Sequence, residues 1–168
     1  NISATERIDI RDNGSVDGSQ EMLRSRFPGV ALIQNADNVG LGRASNQGIR
    51  ATTAPYVLLL NNDTLVDGAS LDVLIDFMAG TPDAGAAGGT LLNGDGTFQS
   101  AYGNFPSLIE EFLIATRVGE RLWPGYPSHR SGRRIASVGW LSSACLLLRR
   151  SALDQVGLIL GNGGHAVL

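Results

Sequence analysis

One stretch constrains the fold of this chain more than any other. Tyr56-Val57-Leu58-Leu59-Leu60 runs without a polar interruption into Asn61-Asn62-Asp63. Such an apolar run reads as a strand buried on both faces, which belongs to a sheet covered by helices. The short polar side chains stand where that strand ends. In open α/β sheets, ligands bind outside the carboxyl ends of the strands. Asp63 is then either a turn or helix cap, a task that Asn and Asp perform well, or a ligand for a hard cation. Mg²⁺ typically takes one or two carboxylates and completes its shell with waters and substrate phosphates. Taken alone, the triplet favours the cap.

The flanking sequence supplies the rest of an alternating pattern. Arg7 to Arg11 alternates like a short strand, and Asp12-Asn13-Gly14-Ser15 ends it with turn chemistry. Asp17 and Gln20 have the spacing of a capping box, predicting a helix to about Arg26 that Phe27-Pro28-Gly29 stops. Val30 to Ile33 is a second strand. A polar connector from Asn35 to Gly42 opens a helix rich in small residues. After the 56–60 strand, Leu71, Leu74, Ile75 and Met78 recur at helical spacing as a core-facing stripe.

Ala84 to Leu92 predicts a strand, and Asn93-Gly94-Asp95-Gly96 a hairpin returning through Phe98. Ser107 and Glu110 cap a further helix. Trp123 to Arg134 reads as a long loop, Val138 to Leu148 as one last strong strand, and the tail from Gly157 as Gly-rich and aperiodic. Strands alternating with helices argue for an α/β domain, a mostly parallel sheet with helices on both faces.

Composition narrows the function. The 168 residues suffice for one domain with a sizeable core. Net charge is −3, and all 13 cationic side chains are Arg, which gives no case for a nucleic-acid partner. The one cysteine, Cys145, lies in an apolar run and reads as a buried, inert thiol. No apolar run approaches the ~18 residues of a membrane span.

Asp12, like Asp63, ends a strand. In a parallel sheet the two acids share one edge, which suits a nucleotide: one accepts from a base or ribose and the other holds a metal on the diphosphate. The alternative is that Asp12 to Ser15 is only a turn. Gly40-Leu41-Gly42-Arg43-Ala44-Ser45 is a near miss to the G-x-G-x-x-G fingerprint, with Ser45 in the third Gly position. It keeps a Rossmann-type NAD-dependent oxidoreductase open as a second reading. A helix N-terminus at this point also attracts phosphate. His129 with Arg130, Arg133 and Arg134 is either a solvated basic loop or a phosphate clamp, and His165 has no partner nearby in sequence. No Ser-His-Asp arrangement, zinc spacing or P-loop is present.

Four segments together resemble the family 2 glycosyltransferases with a GT-A fold, in their bacterial rhamnosyltransferase-like branch. Asp12-Asn13-Gly14-Ser15-Val16-Asp17-Gly18-Ser19 is similar to that family's D-N-x-S-x-D-G-S segment. Asn38 to Ile49 is similar to its N-x-G-x-x-x-(A/G)-x-N-x-G-I helix. Tyr56 to Asp63 is similar to its metal-binding strand end, and Gly139 to Arg150 to its W-x-x-G-A-x-x-L-x-R-R segment near the acceptor side.

The resemblance implies inverting transfer of a sugar from a nucleotide-diphosphate donor, UDP- or dTDP-linked, to a glycan or lipid-linked acceptor. It implies a divalent metal, Mg²⁺ or Mn²⁺, at Asp63. Asp12 would contact the base, with Asn38, Arg43, Asn46 and Asn62 lining the nucleotide side and Trp140 and Ser142 the acceptor side. It places the protein in the cytoplasm, at the inner face of the membrane through peripheral association.

Two departures are expected to matter. The family's first strand and helix, with a T-Y-N-like segment, have no counterpart ahead of Asn1. The family's downstream E-D pair, which carries the catalytic base, also has none, since no acid follows Asp154. The chain is thus expected to hold a partial domain over 1–157 and a divergent tail over 158–168, inactive alone, with the catalytic base unassigned. A non-catalytic nucleotide-sugar-binding module is the third reading.

Overall fold

The computed structural model describes residues 7–103, 107–122 and 135–159. The expected long loop, the Gly-rich tail beyond 159, His129 with its neighbouring arginines and His165 lie outside them. The alternation is present: β1 (Asp9–Asp12), α1 (Ser19–Arg26), β2 (Ala31–Gln34), α2 (Leu41–Arg50), β3 (Tyr56–Leu60), α3 (Gly68–Gly80) and β4 (Ala86–Gly88) follow in order. β5 (Leu91–Leu92) and β6 (Phe98–Gln99) form the expected hairpin, with Leu92 opposite Phe98 and Gly96 at φ +81° in its turn. Then come β7 (Tyr102–Gly103), α4 (Leu108–Ala115), α5 (Val118–Leu122), β8 (Trp140–Leu141), β9 (Cys145–Arg149) and α6 (Arg150–Val156). The class is α/β. No helix among the described residues is long and apolar enough to cross a membrane.

β1 and β2 pair in parallel, with Asp12 opposite Gln34. β9 enters antiparallel between β3 and β4, so those two run in the same direction. This placement makes β9 the most buried strand. Leu146 and Leu148 pack with Ile49 of α2 and Leu153 of α6, while Cys145 and Leu147 pack with Leu74 and Met78 of α3. The α3 stripe and the inert Cys145 are as expected. Burial raises the Cys145 thiol pKa, which keeps it protonated.

Three expectations require correction. β3 does face two layers, with Val57 and Leu59 on the α2 side and Tyr56 and Leu58 on the α3 side. Yet it is only half-buried and Leu60 is 44% exposed, because among the described residues β3 has a partner strand on one edge only. The run from Val138 to Leu148 is not one strand. β8 pairs with β7, the chain turns through Ser142 to Ala144, and β9 then joins a different ladder. The Asp17–Gln20 capping box is absent: Gly18 (φ +84°) is the N-cap, Asp17 accepts from the Ser19 amide, and Gln20 turns back to Asp12.

Two adjacent arginines fasten the helix layers to β9. The Arg149 guanidinium donates to the carbonyls of Met78 (2.5 Å), Thr81 (2.9 Å) and Ala84 (2.8 Å), at and just beyond the end of α3. It also lies 5.3 Å from the centre of the Tyr56 ring. Arg150 donates to Ile49 (3.0 Å) and Thr52 (2.8 Å), closing the end of α2. A cation at a helix C-terminus satisfies carbonyls that lack intrahelical donors and complements the helix dipole.

Candidate functional site

Asp12 is the last residue of β1 and only 7% exposed. Its Oδ1 accepts from the Ser15 amide (3.3 Å) and its Oδ2 from the Gln20 side chain (2.5 Å). The Ser15 hydroxyl, then the Gln20 amide and the Ser15 and Gly14 backbone, hold its carboxyl below the ordinary value of 3.8 against the opposing effect of burial. Asp12 is therefore an anion at neutral pH, held by donors from its own turn and from α1. The turn after it requires glycine at 14. There φ is +90°, and a Cβ would sit 3.2 Å from the Asp37 carbonyl carbon.

That close approach brings the β1 and β2 turns together, and four neutral amides lock them. Asn13 Nδ2 donates to Asn38 Oδ1 (2.7 Å), and Asn13 Oδ1 accepts from Asn35 Nδ2 (3.1 Å) and the Val39 amide (3.1 Å). Asn35 and Gln47 exchange a reciprocal pair at 3.1 and 2.9 Å. Asn38 Oδ1 also accepts from the Gly40 amide (2.9 Å), leading the chain into α2. The structure thus joins Asn38 to the Asp12 turn. Asn35, Gln47 and Gln20 escape sequence reasoning, since nothing local marks a glutamine whose partner is on another element.

Asp63 follows the carboxyl end of β3, beyond Leu60, in a ladder separate from the β1–β2 pair that carries Asp12. The Thr64 amide donates to the Asn61 carbonyl (3.1 Å), so Asn62 and Asp63 form the exposed tip of a turn. Among the described residues the Asp63 carboxylate accepts no hydrogen bond. The following helix is capped instead by Asp67, which accepts from the Ser70 amide (2.7 Å) and hydroxyl (3.1 Å). The capping alternative for Asp63 is thereby removed.

No group of three or more His, Cys, Asp or Glu side chains that could hold a metal occurs among the described residues. A single free carboxylate on a protruding turn fits a hard cation only if a ligand's oxygens and water complete the shell.

The Asp63 turn is tied to the segment after β8. The Asn61 amide donates to the Ala144 carbonyl (3.0 Å), the Ala144 amide donates to Ser142 Oγ (3.2 Å), and the Ser142 amide donates to Ala101 (2.7 Å). Trp140 stacks its indole over Gly103, where a Cβ would come within 2.6 Å of Nε1. Asp63, Ser142 and Trp140 therefore belong to one connected edge.

Arg43 is exposed on the first turn of α2 and makes no hydrogen bond among the described residues. Asn46 has a structural task, since its carboxamide donates to the Ile159 carbonyl (2.9 Å) and accepts from the Ile159 amide (3.0 Å). Both polar atoms of the Asn46 carboxamide, expected to line the nucleotide, are thus engaged by Ile159. Arg149 and Arg150, in the segment likened to the acceptor side, close helices instead. The dinucleotide fingerprint also fails on context, because residues 35–40 separate the end of β2 from α2.

Residues 5–157 match the profile described as Glycosyl transferase family 2. Two curated relatives from Mycobacterium tuberculosis, strains CDC 1551 / Oshkosh and ATCC 25618 / H37Rv, are each 35% identical to the chain over 174 residues. Both carry the name N-acetylglucosaminyl-diphospho-decaprenol L-rhamnosyltransferase. The match covers 92% of this chain and 56% of each relative, so the chain spans about half the length of the proteins it resembles.

Proposed function

The chain belongs to glycosyl transferase family 2, and from that premise we propose that it carries the donor side of an inverting glycosyltransferase. The donor is a nucleotide-diphosphate sugar, UDP- or dTDP-linked, and the acceptor is a lipid-linked glycan in bacterial cell-wall or polysaccharide synthesis. The name shared by the two mycobacterial relatives supports rhamnosyl transfer to a polyprenyl-diphosphate-linked sugar.

The observation that carries the reading is that, among the described residues, the Asp63 carboxylate accepts no hydrogen bond, while the helix after it is capped by another acid. A carboxylate with no structural role, at a strand's end, suits a Mg²⁺ or Mn²⁺ ion that also binds diphosphate oxygens. When bound, such an ion neutralises the charge developing on the departing diphosphate.

The chain's own residues supply placement. Asp12, an anion at the end of β1, would accept from N–H or O–H groups of the base or ribose. The amides around Asn13 and Asn38 hold that turn rigid without adding charge. Arg43 and Asn62 are the side chains assigned to phosphate oxygens, a role that their exposure supports. Trp140 and Ser142, linked to the Asp63 turn through Ala144, face the acceptor. The base that deprotonates the acceptor hydroxyl has no candidate among the described residues and is sought in the full-length protein.

Titration calorimetry with UDP and dTDP, each with and without Mn²⁺, tests the reading, with NADH as the competing ligand. Metal-dependent heat with a nucleoside diphosphate, weakened about tenfold or more by Asp63→Asn, is expected; losing one charge-assisted contact is worth at least that much. Binding of NADH with none of either nucleotide would overturn it. Nucleotide binding without sugar transfer by the full-length protein would reduce it to a binding module.

A further inference from the structure

Ile159 lies beyond the end of α6, outside any helix or strand, yet it is only 7% exposed and joins the core cluster that contains Ile49 of α2. Its main-chain N–H and C=O have no ladder to receive them, and buried groups of this kind need partners. Asn46 supplies both. Its Nδ2 donates to the Ile159 carbonyl (2.9 Å) and its Oδ1 accepts from the Ile159 amide (3.0 Å). A carboxamide carries donor and acceptor on one group, whereas a carboxylate would serve only the amide and a guanidinium only the carbonyl. Asn46 and Ile49 stand three residues apart and share one face of α2. Ile159 is thus fixed at two points, its main chain by Asn46 and its side chain by the cluster around Ile49.

The same helix holds the Asp12 turn. Gln47, next to Asn46, exchanges two hydrogen bonds with Asn35, which in turn donates to Asn13. Successive side chains of α2 therefore grip the turn of the candidate donor site and the segment after α6, which is 113 residues away from Asn46 in sequence. Asn46 follows Leu41, the first residue of α2, by five positions, or about 8 Å along the helix axis. About three residues of extended chain cover that length.

We propose that Asn46 is a positioning residue: it sets the point at which the polypeptide continuing beyond α6 leaves the core, within reach of a donor held at Asp12. Without the carboxamide, the Ile159 N–H and C=O turn to water and that point shifts. A displacement of about 1 Å far from the chemistry can lower turnover about a hundredfold. The pair therefore matters to the rate more than to nucleotide affinity. A carboxamide that merely satisfied two main-chain groups would affect stability alone. The consequence for turnover rests on the sugar transfer proposed above; the fixed departure point does not.

Hydrogen exchange and steady-state kinetics of the full-length protein test the proposal, with Asn46→Ala set against Asp67→Ala, which loses a helix cap instead. Asn46→Ala should speed exchange at the Ile159 amide about tenfold or more, as the loss of one hydrogen bond implies, and leave the β9 amides slow. It should lower kcat about tenfold or more, while the Kd for UDP or dTDP with Mn²⁺ stays within about twofold of the parent. Asp67→Ala should leave both Ile159 exchange and kcat at their parental values.

Ile159 exchange unchanged by Asn46→Ala would overturn the proposal. So would faster exchange with kcat unchanged, for the departure point would then have no consequence. A nucleotide Kd weakened as much as kcat would place Asn46 on the nucleotide and overturn it as well. An equal loss of kcat from Asp67→Ala would reduce both effects to stability. If the parent protein transfers no sugar, the transfer reading falls, and Ile159 exchange alone decides whether Asn46 sets the departure point.

Discussion

Replacing Arg149 separates a structural from a catalytic role for the Arg149-Arg150 pair. Arg149→Ala removes a charged donor from three carbonyls, those of Met78, Thr81 and Ala84, and from the Tyr56 hydroxyl at 3.3 Å. Hydrogen bonds to charged groups contribute about 1.5–3 kcal/mol when both partners are desolvated. Arg149 is half-buried and the end of α3 can rehydrate, so the three carbonyl bonds together are worth roughly 2 kcal/mol here. The contact with the Tyr56 ring adds about 0.5–1 kcal/mol.

The expected loss is therefore about 3 kcal/mol, and about half of that for Arg149→Lys, which keeps the charge but lacks the planar fork. In urea, with a slope of about 2 kcal/mol/M, the Ala variant should unfold about 1.5 M earlier. Arg150→Ala releases a different helix, and its effect should add to that of Arg149→Ala within about 0.5 kcal/mol, since the two share no partner. An Arg149→Ala midpoint within about 0.3 M of the parent, together with lost transfer activity, would refute the capping argument and return the pair to the acceptor site.

Two further outcomes follow from the carboxylates. Asp67→Ala should lower the urea midpoint and leave Mn²⁺-dependent nucleotide binding intact, whereas Asp63→Ala should do the reverse; equal stability losses would refute the division of labour. Asp12 has a depressed folded-state pKa, so its contribution to stability is fully present above its unfolded value near 3.8 and is lost as pH falls through the lower folded value. The stability gap between the parent and Asp12→Asn should hold from neutral pH to about pH 4.5 and close below the ordinary 3.8. A gap that stays constant to about pH 2.5 would contradict the assigned shift.

Local chemistry made much of this fold legible. The breakers at Phe27-Pro28-Gly29, the Asn93–Gly96 turn and the Leu74/Met78 stripe each act within a few residues, and each marks the expected element. Asp63 was legible as a candidate because a strand end is visible locally. Its freedom was not, because it depends on Asp67 taking the cap.

The insertion of β9 between β3 and β4 depends on pairing across some 60 to 90 residues, and no side-chain pattern in 145–149 specifies it. The split of the 138–148 run follows from the same cause, since its halves answer to different partner strands. Gln20 reads as half of a capping box, and Arg149 and Arg150 as part of an acceptor-side segment, because the acceptors they bond lie elsewhere in the chain.

The amide network also gives this edge a chemical lifetime. An asparagine before glycine is prone to lose its amide, because the following backbone nitrogen reaches the side-chain carbonyl unhindered, and Asn13-Gly14 is such a pair. Ammonia leaves as a cyclic imide forms, and water opens the imide to aspartate or isoaspartate; either product carries a carboxylate with no proton to offer. It would set a carboxylate oxygen against Asn38 Oδ1, where a 2.7 Å hydrogen bond now stands, and a second negative charge beside Asp12. Ageing of a single side chain would then loosen the Asp12 turn while the hydrophobic core, on α2, α3 and β9, kept its shape.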